Sequence, residues 1–403
     1  MKILWVCPTL LHPTINGSQI RTLGILRHLS RRNQIHFVGL SREGQTTAER
    51  AEYCSEVYSF LHEPPKRKSA AFAWQALGNF LTGIPLYVDR YRSPDALAQV
   101  NKLLAANRYD AIVADFLLSA PNVPAVENAV LFQHNVEALI MARLAEQSTF
   151  APSRAYLTHM ARKVDRYERA VCRKARHVIT VSPADSRYIE NHYGVAKTSA
   201  LPTGVNLKYF ARPAQPPPQQ AFDLVFVGSL DYLPNLGGVT WFVERVLPLI
   251  HRERPQATVA LVGKNPGPEV HRFAEKDPRI HVTGTVPDVR PYLWTGGASI
   301  VPLFAGSGTR LKIYEAMAAG LPVVSTTIGA EGLTYENGRT IVIADEAEAF
   351  ARECVALIDD PERRRKIGSA ACRQVTEGSD WSTVAVEFEA ILDRVNAAAA
   401  DSR

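Results

Sequence analysis

Residues 304–326 of the chain, FAGSGTRLKIYEAMAAGLPVVST, combine a turn with almost no side chains and a positively charged helix start. The stretch ASIVPLF (298–304) just before is apolar enough for a buried strand, and GSGT (306–309) follows as a turn. RLKIYEAMAAG (310–320) then predicts a helix, because it ends on a glycine with a proline soon after. A strand, a glycine turn and a helix in this order are typical of an α/β domain with a ligand site at the turn.

The turn and the helix start together predict a site for a diphosphate. Small residues such as Gly308 let a ligand reach backbone N–H groups, and the helix dipole adds roughly half a positive charge. Arg310 and Lys312 add full charges, and because cations at a helix N-terminus oppose the dipole, they hint at a function. A solvated charged helix start is the weaker interpretation, because the glycines and the cations coincide directly after a strand. Glu315 follows on the same helical face. Two interpretations of it stay open: an acceptor for a ribose diol, or a surface partner of Lys312.

Similar apolar segments recur along the whole chain, separated by helical stretches. They are KILWVCP (2–8), IHFVGL (35–40), YDAIVADF (109–116), AVLFQHNVE (129–137), HVITVSPAD (177–185), FDLVFVGSL (222–230), ATVALVGKN (257–265), RIHVTGTV (279–286), LPVVSTTIG (321–329) and RTIVIAD (339–345). Continuous apolar strands between helices indicate parallel sheets that are covered on both faces. The fold class is therefore α/β, with two doubly wound Rossmann-like domains.

A proline-rich stretch, RPAQPPPQQ (212–220), marks the predicted domain boundary, since it cannot continue a helix or a central strand. We predict one domain over residues 1–211 and a second over residues 221–380. Apolar residues at helical spacing after Trp381 predict a terminal helix over about 381–400, packed back on the first domain.

Composition excludes several classes of protein. The 403 residues are 46% hydrophobic and 21% charged, which suits two globular domains. No apolar run is long enough to span a membrane, and Pro8 and Pro13 interrupt the apolar start, which favours a first strand over a secretion signal. The five cysteines are odd in number and scattered, which favours a reducing cytoplasm.

The charge is divided unevenly along the chain. Residues 1–210 carry 26 Lys and Arg against 16 Asp and Glu, whereas the remainder carries 20 against 24. The cation-rich stretch 154–178 and the run Lys66-Arg67-Lys68 predict peripheral contact with an anionic membrane, here its cytoplasmic face, although a solvated helix face is the commoner explanation. Nucleic acid is disfavoured, because no basic groove is interleaved with aromatic residues.

Motifs along nearly the whole chain resemble those of the retaining GT-B glycosyltransferases of family 4. They are NGSQIRT (16–22), FQHNVE (132–137), ITVSPAD (179–185), LPTGVNLKYF (201–210), VFVGSLDYLPN (225–235), LVGK (261–264), GTVPDVRPYL (284–293), GSGTRLKIYE (306–315) and GAEGL (329–333). The sequences HNVE and GSGTRLK in particular resemble bacterial sugar transferases of exopolysaccharide or lipid-linked glycan pathways. The resemblance implies a GT-B fold, two such domains facing across a cleft, and a nucleoside diphosphate sugar as donor.

Roles for single residues are implied by the same resemblance. Gly17 and Ser18 would form the loop after the first strand that approaches the donor phosphate, and Val286 would meet the nucleobase through its backbone. His134 would lie beside the transferred sugar. The diphosphate would be held by Gly308, Thr309, Arg310 and Lys312, and the ribose by Glu315.

The chain departs from the family pattern at two positions. Ser307 stands where the family usually has the first of two glutamates, so the predicted donor contacts there are Ser307 itself, backbone groups and Arg310. Ser229 stands where a cation often follows the first strand of the second domain, and Arg310, Lys312 and Lys264 would supply that charge. These departures concern the identity of the donor sugar more than the reaction.

His134 follows an apolar strand, where a histidine is often a hydrogen-bonded strand-end residue. Its position in QHNVE favours a functional role, in which a neutral imidazole accepts a hydrogen bond from a sugar hydroxyl. Glu137 is a weaker candidate that would cap the following helix.

The predicted reaction is transfer of a sugar to a hydroxyl of a glycan or lipid-linked acceptor, with retention implied by the family alone. We predict His134, Arg310 and Lys312 as catalytic residues, no cofactor, and no metal site, since no Asp-x-Asp pair and no His/Cys cluster occurs. A sugar-nucleotide epimerase of the same architecture and a catalytically silent nucleotide-sugar-binding subunit remain as alternatives. A Rossmann dehydrogenase is disfavoured, because no G-x-G-x-x-G turn follows the first strand.

Overall fold

The structure is a computed structural model that describes residues 1–65, 69–79, 82–215 and 221–400. The basic run 66–68 and the second half of the proline-rich stretch, 216–220, therefore lie outside the described residues. The chain divides into two compact units, residues 1–203 with 381–403, and residues 204–380. None of the described helices is long and apolar enough to cross a membrane.

The strands are short and follow the apolar segments. They are β1 (Lys2–Cys7), β2 (Gln34–Ser41), β3 (Glu56–Leu61), β4 (Ala111–Asp115), β5 (Val130–Gln133), β6 (His177–Thr180), β7 (Thr198–Ala200), β8 (Leu224–Val227), β9 (Val259–Val262), β10 (Ile280–Gly284), β11 (Ala298–Val301), β12 (Val323–Ser325) and β13 (Val342–Ile343).

The α-helices lie between and after these strands. They are α1 (Gly17–Leu29), α2 (Ala70–Asn79), α3 (Leu86–Asp89), α4 (Pro94–Ala106), α5 (Glu137–Gln147), α6 (Ala151–Lys174), α7 (Pro183–Tyr193), α8 (Leu207–Phe210), α9 (Leu233–Trp241), α10 (Leu247–Glu253), α11 (Pro268–Lys276), α12 (Arg290–Thr295), α13 (Leu311–Ala318), α14 (Ala347–Asp359), α15 (Pro361–Gly378) and α16 (Trp381–Ala400).

Unit 1 contains a parallel sheet of seven strands in the order β3-β2-β1-β4-β5-β6-β7. The strand order reverses between β1 and β4, and ligands of doubly wound sheets bind beyond the carboxyl ends of the strands at such a reversal. Residues Ile3 to Val6 of β1 are almost completely buried, as expected for a central strand covered on both faces.

Unit 2 contains a parallel sheet of six strands in the order β10-β9-β8-β11-β12-β13. Its strand order reverses between β8 and β11. The stretch with which the sequence analysis opened thus follows β11, one of the two strands at this reversal.

The units divide at Thr203, before the proline-rich stretch. Residues 204–211 belong to unit 2, where Val205 N donates to Ser379 O at 2.7 Å and Trp294 Nε1 donates to Phe210 O at 2.9 Å. The predicted boundary at residue 211 thus lies eight residues later than the division in the structure, because α8 packs on unit 2 through these contacts.

The last helix, α16, returns to unit 1 and packs on α1. The Phe388 ring lies 5.4 Å from the Trp5 ring and 5.3 Å from the Phe132 ring, centroid to centroid. Trp381 covers Gly24 of α1 so closely that a Cβ there would lie 2.5 Å from the indole. The helix therefore completes one face of the unit 1 sheet.

Candidate functional site

The glycine turn of unit 2 has the backbone that its residues predict. Gly306 has a φ of 135° and Gly308 a φ of 74°, conformations that side chains disfavour. Between and after them, the side chains of Ser307 and Thr309 are buried. Helix α13 begins at Leu311 without a side-chain cap, so the N–H groups of Leu311 and Lys312 and the positive dipole end are available to an anion beside the turn.

The Arg310 side chain stabilises this turn through hydrogen bonds to its backbone. Its guanidinium donates to the carbonyl oxygens of Ser307 and Gly308, and to that of Ile328 at 3.4 Å. Two of these acceptors belong to the turn itself, so Arg310 fixes the turn's shape while adding positive charge beside it.

Lys312 is held at one place by three groups. Its Nζ donates to Asn235 Oδ1 at 2.9 Å and lies 4.2 Å from the centre of the Phe226 ring. A Cβ on Gly228 would lie 2.6 Å from the same Nζ, so only glycine leaves room for the ammonium there. Burial, and then the charge of Arg310, lower the pKa of Lys312 to about 7, whereas Glu315 acts in the opposite direction.

Glu315 lies on the next turn of α13 with 9% of its surface exposed. Burial raises the pKa of its carboxyl to about 7, against the opposing effect of Lys312. No described residue donates a hydrogen bond to the carboxylate or forms an ion pair with it. Glu315 is thus buried and acts on Lys312 through its charge alone, and a buried acceptor without a donor is what a ribose diol would need.

Asn235 and Gly263 belong to this site although the sequence analysis did not select them. The Asn235 amide bridges two turns, donating to Ser229 O at 2.8 Å while accepting from Lys312. A Cβ on Gly263 would lie 1.7 Å from Gly228 O, so the turns after β8 and β9 meet backbone to backbone. The sequence feature that could have revealed this contact is the glycine directly after a strand in both VGS (227–229) and VGK (262–264).

The other two predicted donor residues of unit 2 follow neighbouring strands. Lys264 comes after β9, where its carbonyl accepts from Leu230 N at 3.0 Å, and its half-buried ammonium makes no hydrogen bond with a described residue. Val286 comes after β10 and packs against a buried cluster that includes Val225 and Val262. The structure brings Arg310, Lys312 and Glu315 together on one loop and helix after β11. Lys264 and Val286 lie on the loops after β9 and β10, at the carboxyl ends of the same sheet but separated from β11 by β8.

In unit 1, His134 follows β5 and is paired with a carboxylate that the sequence analysis missed. His134 Nε2 lies 2.7 Å from Asp115 Oδ1 at the end of β4, and both side chains are buried. Asp115 Oδ2 accepts from Trp5 Nε1 at 3.0 Å and from Thr22 Oγ1 at 2.7 Å. Asp115 lies inside the apolar segment YDAIVADF, and only the pairing of β4 with β5 brings it beside the histidine.

These contacts decide which nitrogen of His134 carries the proton. Burial lowers the pKa of His134, against the opposing effect of Asp115, so the neutral imidazole is favoured. The carboxylate accepts from Nε2–H, which leaves Nδ1 as the unprotonated nitrogen. Nδ1 is buried without a hydrogen-bond partner among the described residues. His134 thus keeps an unprotonated acceptor nitrogen, which the protein encloses in this structure.

The backbone around this pair is strained and firmly held. Phe116, directly after Asp115, has a φ of 73°, which is rare for a residue with a side chain, and its ring stacks on the His134 imidazole at 4.1 Å. The connection from His134 into α5 is held by Glu168, whose carboxylate accepts from the backbone N–H groups of Glu137 and Ala138, each at 3.0 Å. Glu168, and not Glu137, therefore caps this helix.

Gly17 and Ser18 lie in unit 1 on the first turn of α1, not in the loop before it as predicted. The helix begins earlier than expected because Asn16 caps it, accepting from Gln19 N at 3.0 Å and from Ser18 Oγ at 2.5 Å. Gly17 is exposed, and the segment 12–16 precedes it outside the helix. Within the described residues, no group of three or more His, Cys, Asp or Glu side chains is placed to hold a metal ion.

Comparison with known families finds two matches in order along the chain. Residues 15–209 match Glycosyltransferase Family 4, and residues 221–360 match Glycosyl transferases group 1. The first match contains Asp115 and His134, and the second contains the glycine turn and α13.

The relatives found by sequence comparison have low sequence identity to this chain. An uncharacterised 44.6 kDa protein in the cps region of Klebsiella pneumoniae is 26% identical over 40% of this chain and 44% of that protein. Glycogen synthase of Mycobacterium tuberculosis is 25% identical over 56% of each chain. The chain thus spans about half the length of these curated relatives.

Solved structures share the fold over the whole length. Sucrose-phosphate synthase from Thermosynechococcus elongatus has a TM-score of 0.72 with 18% identity, covering 99% of this chain and 100% of that one. Anabaena HepE in complex with UDP has a TM-score of 0.66 with 17% identity, covering 98% and 100%. With its two parallel sheets and these structural neighbours, the chain has the GT-B fold, and its two units resemble the Glycosyltransferase Family 4 and Glycosyl transferases group 1 models in turn.

Proposed function

We propose that the chain is a glycosyltransferase that moves a sugar from a nucleoside diphosphate sugar to a hydroxyl of a glycan or lipid-linked acceptor, with retention of anomeric configuration. The observation that carries the proposal is the environment of Lys312 and Glu315. A fixed ammonium, an uncapped helix start and a buried carboxylate lie together beside a glycine turn. This set matches the diphosphate and the ribose of one ligand.

The chemistry follows from these groups. As the bond to the sugar breaks, negative charge grows on the departing diphosphate, and the α13 N-terminus and Lys312 stabilise it. Arg310 keeps the turn in the geometry that this requires. In unit 1, His134 Nδ1 accepts a hydrogen bond from a sugar hydroxyl, and Asp115 holds the imidazole in the tautomer that can do so. No cofactor or metal is part of this proposal.

The printed names of similar proteins support parts of this function. Glycogen synthase and D-inositol 3-phosphate glycosyltransferase are among the relatives, which supports sugar transfer. HepE has been solved with UDP and with UDP-glucose, which supports a uridine diphosphate donor. The relative in a cps region supports a role in exopolysaccharide or other cell-surface glycan synthesis.

We further propose that the protein works in the cytoplasm at the inner face of the membrane. All five cysteines are free thiols, as suits a reducing compartment. At the start of α6, Phe150 and Tyr156 expose 68% and 62% of their surface, next to exposed cations of the same helix such as Arg154. Aromatic and cationic side chains together favour an anionic lipid surface.

The test is a screen of nucleoside diphosphate sugars by thermal shift, followed by product analysis with lipid-linked acceptors. Lys312→Ala and Glu315→Ala should each weaken donor binding by roughly 10- to 100-fold, because each removes a charge-assisted contact worth about 1.5–3 kcal/mol. Lys276→Ala, an exposed cation of the same unit, is the matched control. Near-normal donor affinity in both site variants would contradict the site.

The same assay separates the alternative functions. An epimerised donor in the absence of acceptor would indicate an epimerase. Donor binding without transfer to any acceptor, unchanged in His134→Ala, would indicate a silent binding subunit.

A further inference from the structure

A cavity of unit 2 lies at the amino ends of the sheet strands, whereas the glycine turn lies at their carboxyl ends. Its volume is about 1000 Å³, at the upper end of small-molecule pockets. It is lined by Gly296 and Gly297, just before β11, and by Pro322, just before β12, whereas the glycine turn follows the carboxyl end of β11. Helices α8 and α15 supply most of the remaining walls. We call this cavity the basic groove.

The floor of the basic groove is apolar. It contains the half-buried Leu207 and the buried residues Leu293, Ala318, Leu321 and Pro322. Helix α15 approaches this floor closely, because a Cβ on Gly368 would lie 2.0 Å from Gly320 O. The exposed face of α15 that carries Arg365, Ser369 and Thr376 then becomes one side of the groove.

The rim of the basic groove is cationic. Five cations line it, Lys208, Arg212, Arg364, Arg365 and Arg373, against a single carboxylate, that of Glu377. Arg364 is engaged, donating to Leu357 O at 2.8 Å and to Ile358 O at 2.9 Å. The other four cations make no hydrogen bond or ion pair with any residue that the structure describes. Like charges around one cavity create a potential that attracts an anion.

The two surfaces together indicate one class of ligand. A free phosphate would use the rim but not the apolar floor, and a sugar would need more hydroxyl and amide partners than Ser369 and Thr376 provide. We propose that the basic groove binds an anionic amphiphile, with its phosphate or carboxylate head at the cationic rim and its apolar chain along the floor. This site is separate from the proposed donor site and does not depend on it.

Calorimetric titration of the full chain with dodecyl phosphate, below its micelle concentration, tests the proposal. Inorganic phosphate and dodecyl maltoside serve as the head-only and neutral-head probes, and each should bind roughly tenfold more weakly or not at all. The double variant Arg365→Gln/Arg373→Gln should lower the affinity for dodecyl phosphate by roughly tenfold or more. Ser369→Trp should also lower it, because an indole at this exposed position fills the groove.

The matched control is Arg352→Gln/Lys366→Gln, which removes two exposed cations that do not line the groove. It should bind dodecyl phosphate as the unaltered chain does. Equal loss in both double variants, equal affinity for inorganic phosphate, or no binding of dodecyl phosphate would each overturn the proposal. Binding of an acidic helical peptide in place of dodecyl phosphate would also overturn it, since the groove would then be a protein-docking surface.

Discussion

At the scale of single residues, Asp115 is the group on which the chemistry of His134 depends. Its Oδ2 is already occupied by Trp5 and Thr22, so Oδ1 is left to accept the Nε2 proton of the imidazole. We predict that Asp115→Asn lowers kcat/KM for sugar transfer by roughly 10- to 100-fold. The amide stabilises the wrong tautomer, which costs about 1–3 kcal/mol of buried hydrogen bonding.

The control for this variant is Asp95→Asn, an exposed carboxylate on α4 of the same unit. Steady-state kinetics should show a loss only in Asp115→Asn, with donor affinity retained in both. An equal kcat/KM in the two variants would mean that Asp115 has only a structural role.

Lys312 and Glu315 should exchange protons with solvent when a nucleoside diphosphate binds. In the free protein both groups have a pKa of about 7. A diphosphate favours the ammonium of Lys312, and a ribose hydroxyl favours the carboxylate of Glu315. Above pH 7, Lys312 has largely lost its proton, so UDP-glucose binding should take up to about one proton from solvent. Below pH 7, Glu315 is largely protonated, so binding should release one.

Calorimetry with UDP-glucose in buffers of different ionisation enthalpy measures this exchange, because its phosphates, unlike the terminal phosphate of UDP with a pKa of about 6, add no protons of their own near pH 7. Lys312→Met should abolish the uptake, and Glu315→Gln should abolish the release. Proton exchange of one sign on both sides of pH 7 would show that the ligand does not contact both groups.

Sequence reasoning at this scale succeeded where chemistry is local and failed where the fold brings residues together. Arg310, Lys312 and Glu315 lie in one strand-turn-helix segment, so their grouping could be predicted. Asp115 and Asn235 reach their partners only through strand order and helix packing, which no local pattern encodes.

At the scale of elements, α9 packs against the end of β11 through a single glycine and so positions Asn235. A Cβ on Gly238 would lie 2.3 Å from Pro302 O, whereas nothing lies within 4 Å of one on the adjacent Gly237. Gly238→Ala should therefore lower the free energy of unfolding by about 1–3 kcal/mol through overpacking. Gly237→Ala should raise it by about 0.5–1 kcal/mol, because alanine is the better helix former.

Urea unfolding of the two variants measures the difference, and UDP affinity gives a second readout. Only Gly238→Ala should weaken UDP binding, because it moves the helix that carries the acceptor of Lys312. Equal stability of the two variants would mean that α9 does not rest on this contact.

The apolar segments predicted most strands but not the two edge strands of the unit 1 sheet. β1, β8 and β11 lie within predicted segments, since central strands are buried on both faces and read as continuous apolar runs. The edge strands β3 and β7 are half-exposed and were missed, because EVYSFL and TSA carry polar residues and no apolar run. The start of α1 was misplaced for a related reason, since Asn16 caps the helix and Gly17 begins it three residues before Ile20, the first residue of its apolar pattern.

At the scale of the whole molecule, the chain leaves unit 1 at Thr203, forms unit 2 and returns at Trp381. Unit 1 is therefore complete only when the last helix is in place. The proline-rich stretch predicted a boundary after residue 211, but residues 204–211 pack on unit 2. Composition indicates where regular structure stops but not which unit the preceding residues contact.

We predict that helix α16 stabilises unit 1 and not unit 2. Phe388 is completely buried between Trp5 and Phe132, whereas Val386 on the same helix exposes 51% of its surface. Phe388→Ala should lower the free energy of unfolding of unit 1 by about 3–5 kcal/mol, and Val386→Ala should change it by less than about 0.5 kcal/mol. Native-state hydrogen exchange resolves the two units: amides of β1 and β5 should exchange faster in Phe388→Ala, while those of β8 and β9 keep their protection. Faster exchange in both units would mean that they unfold together, and unchanged exchange in β1 would mean that α16 does not stabilise the sheet it covers.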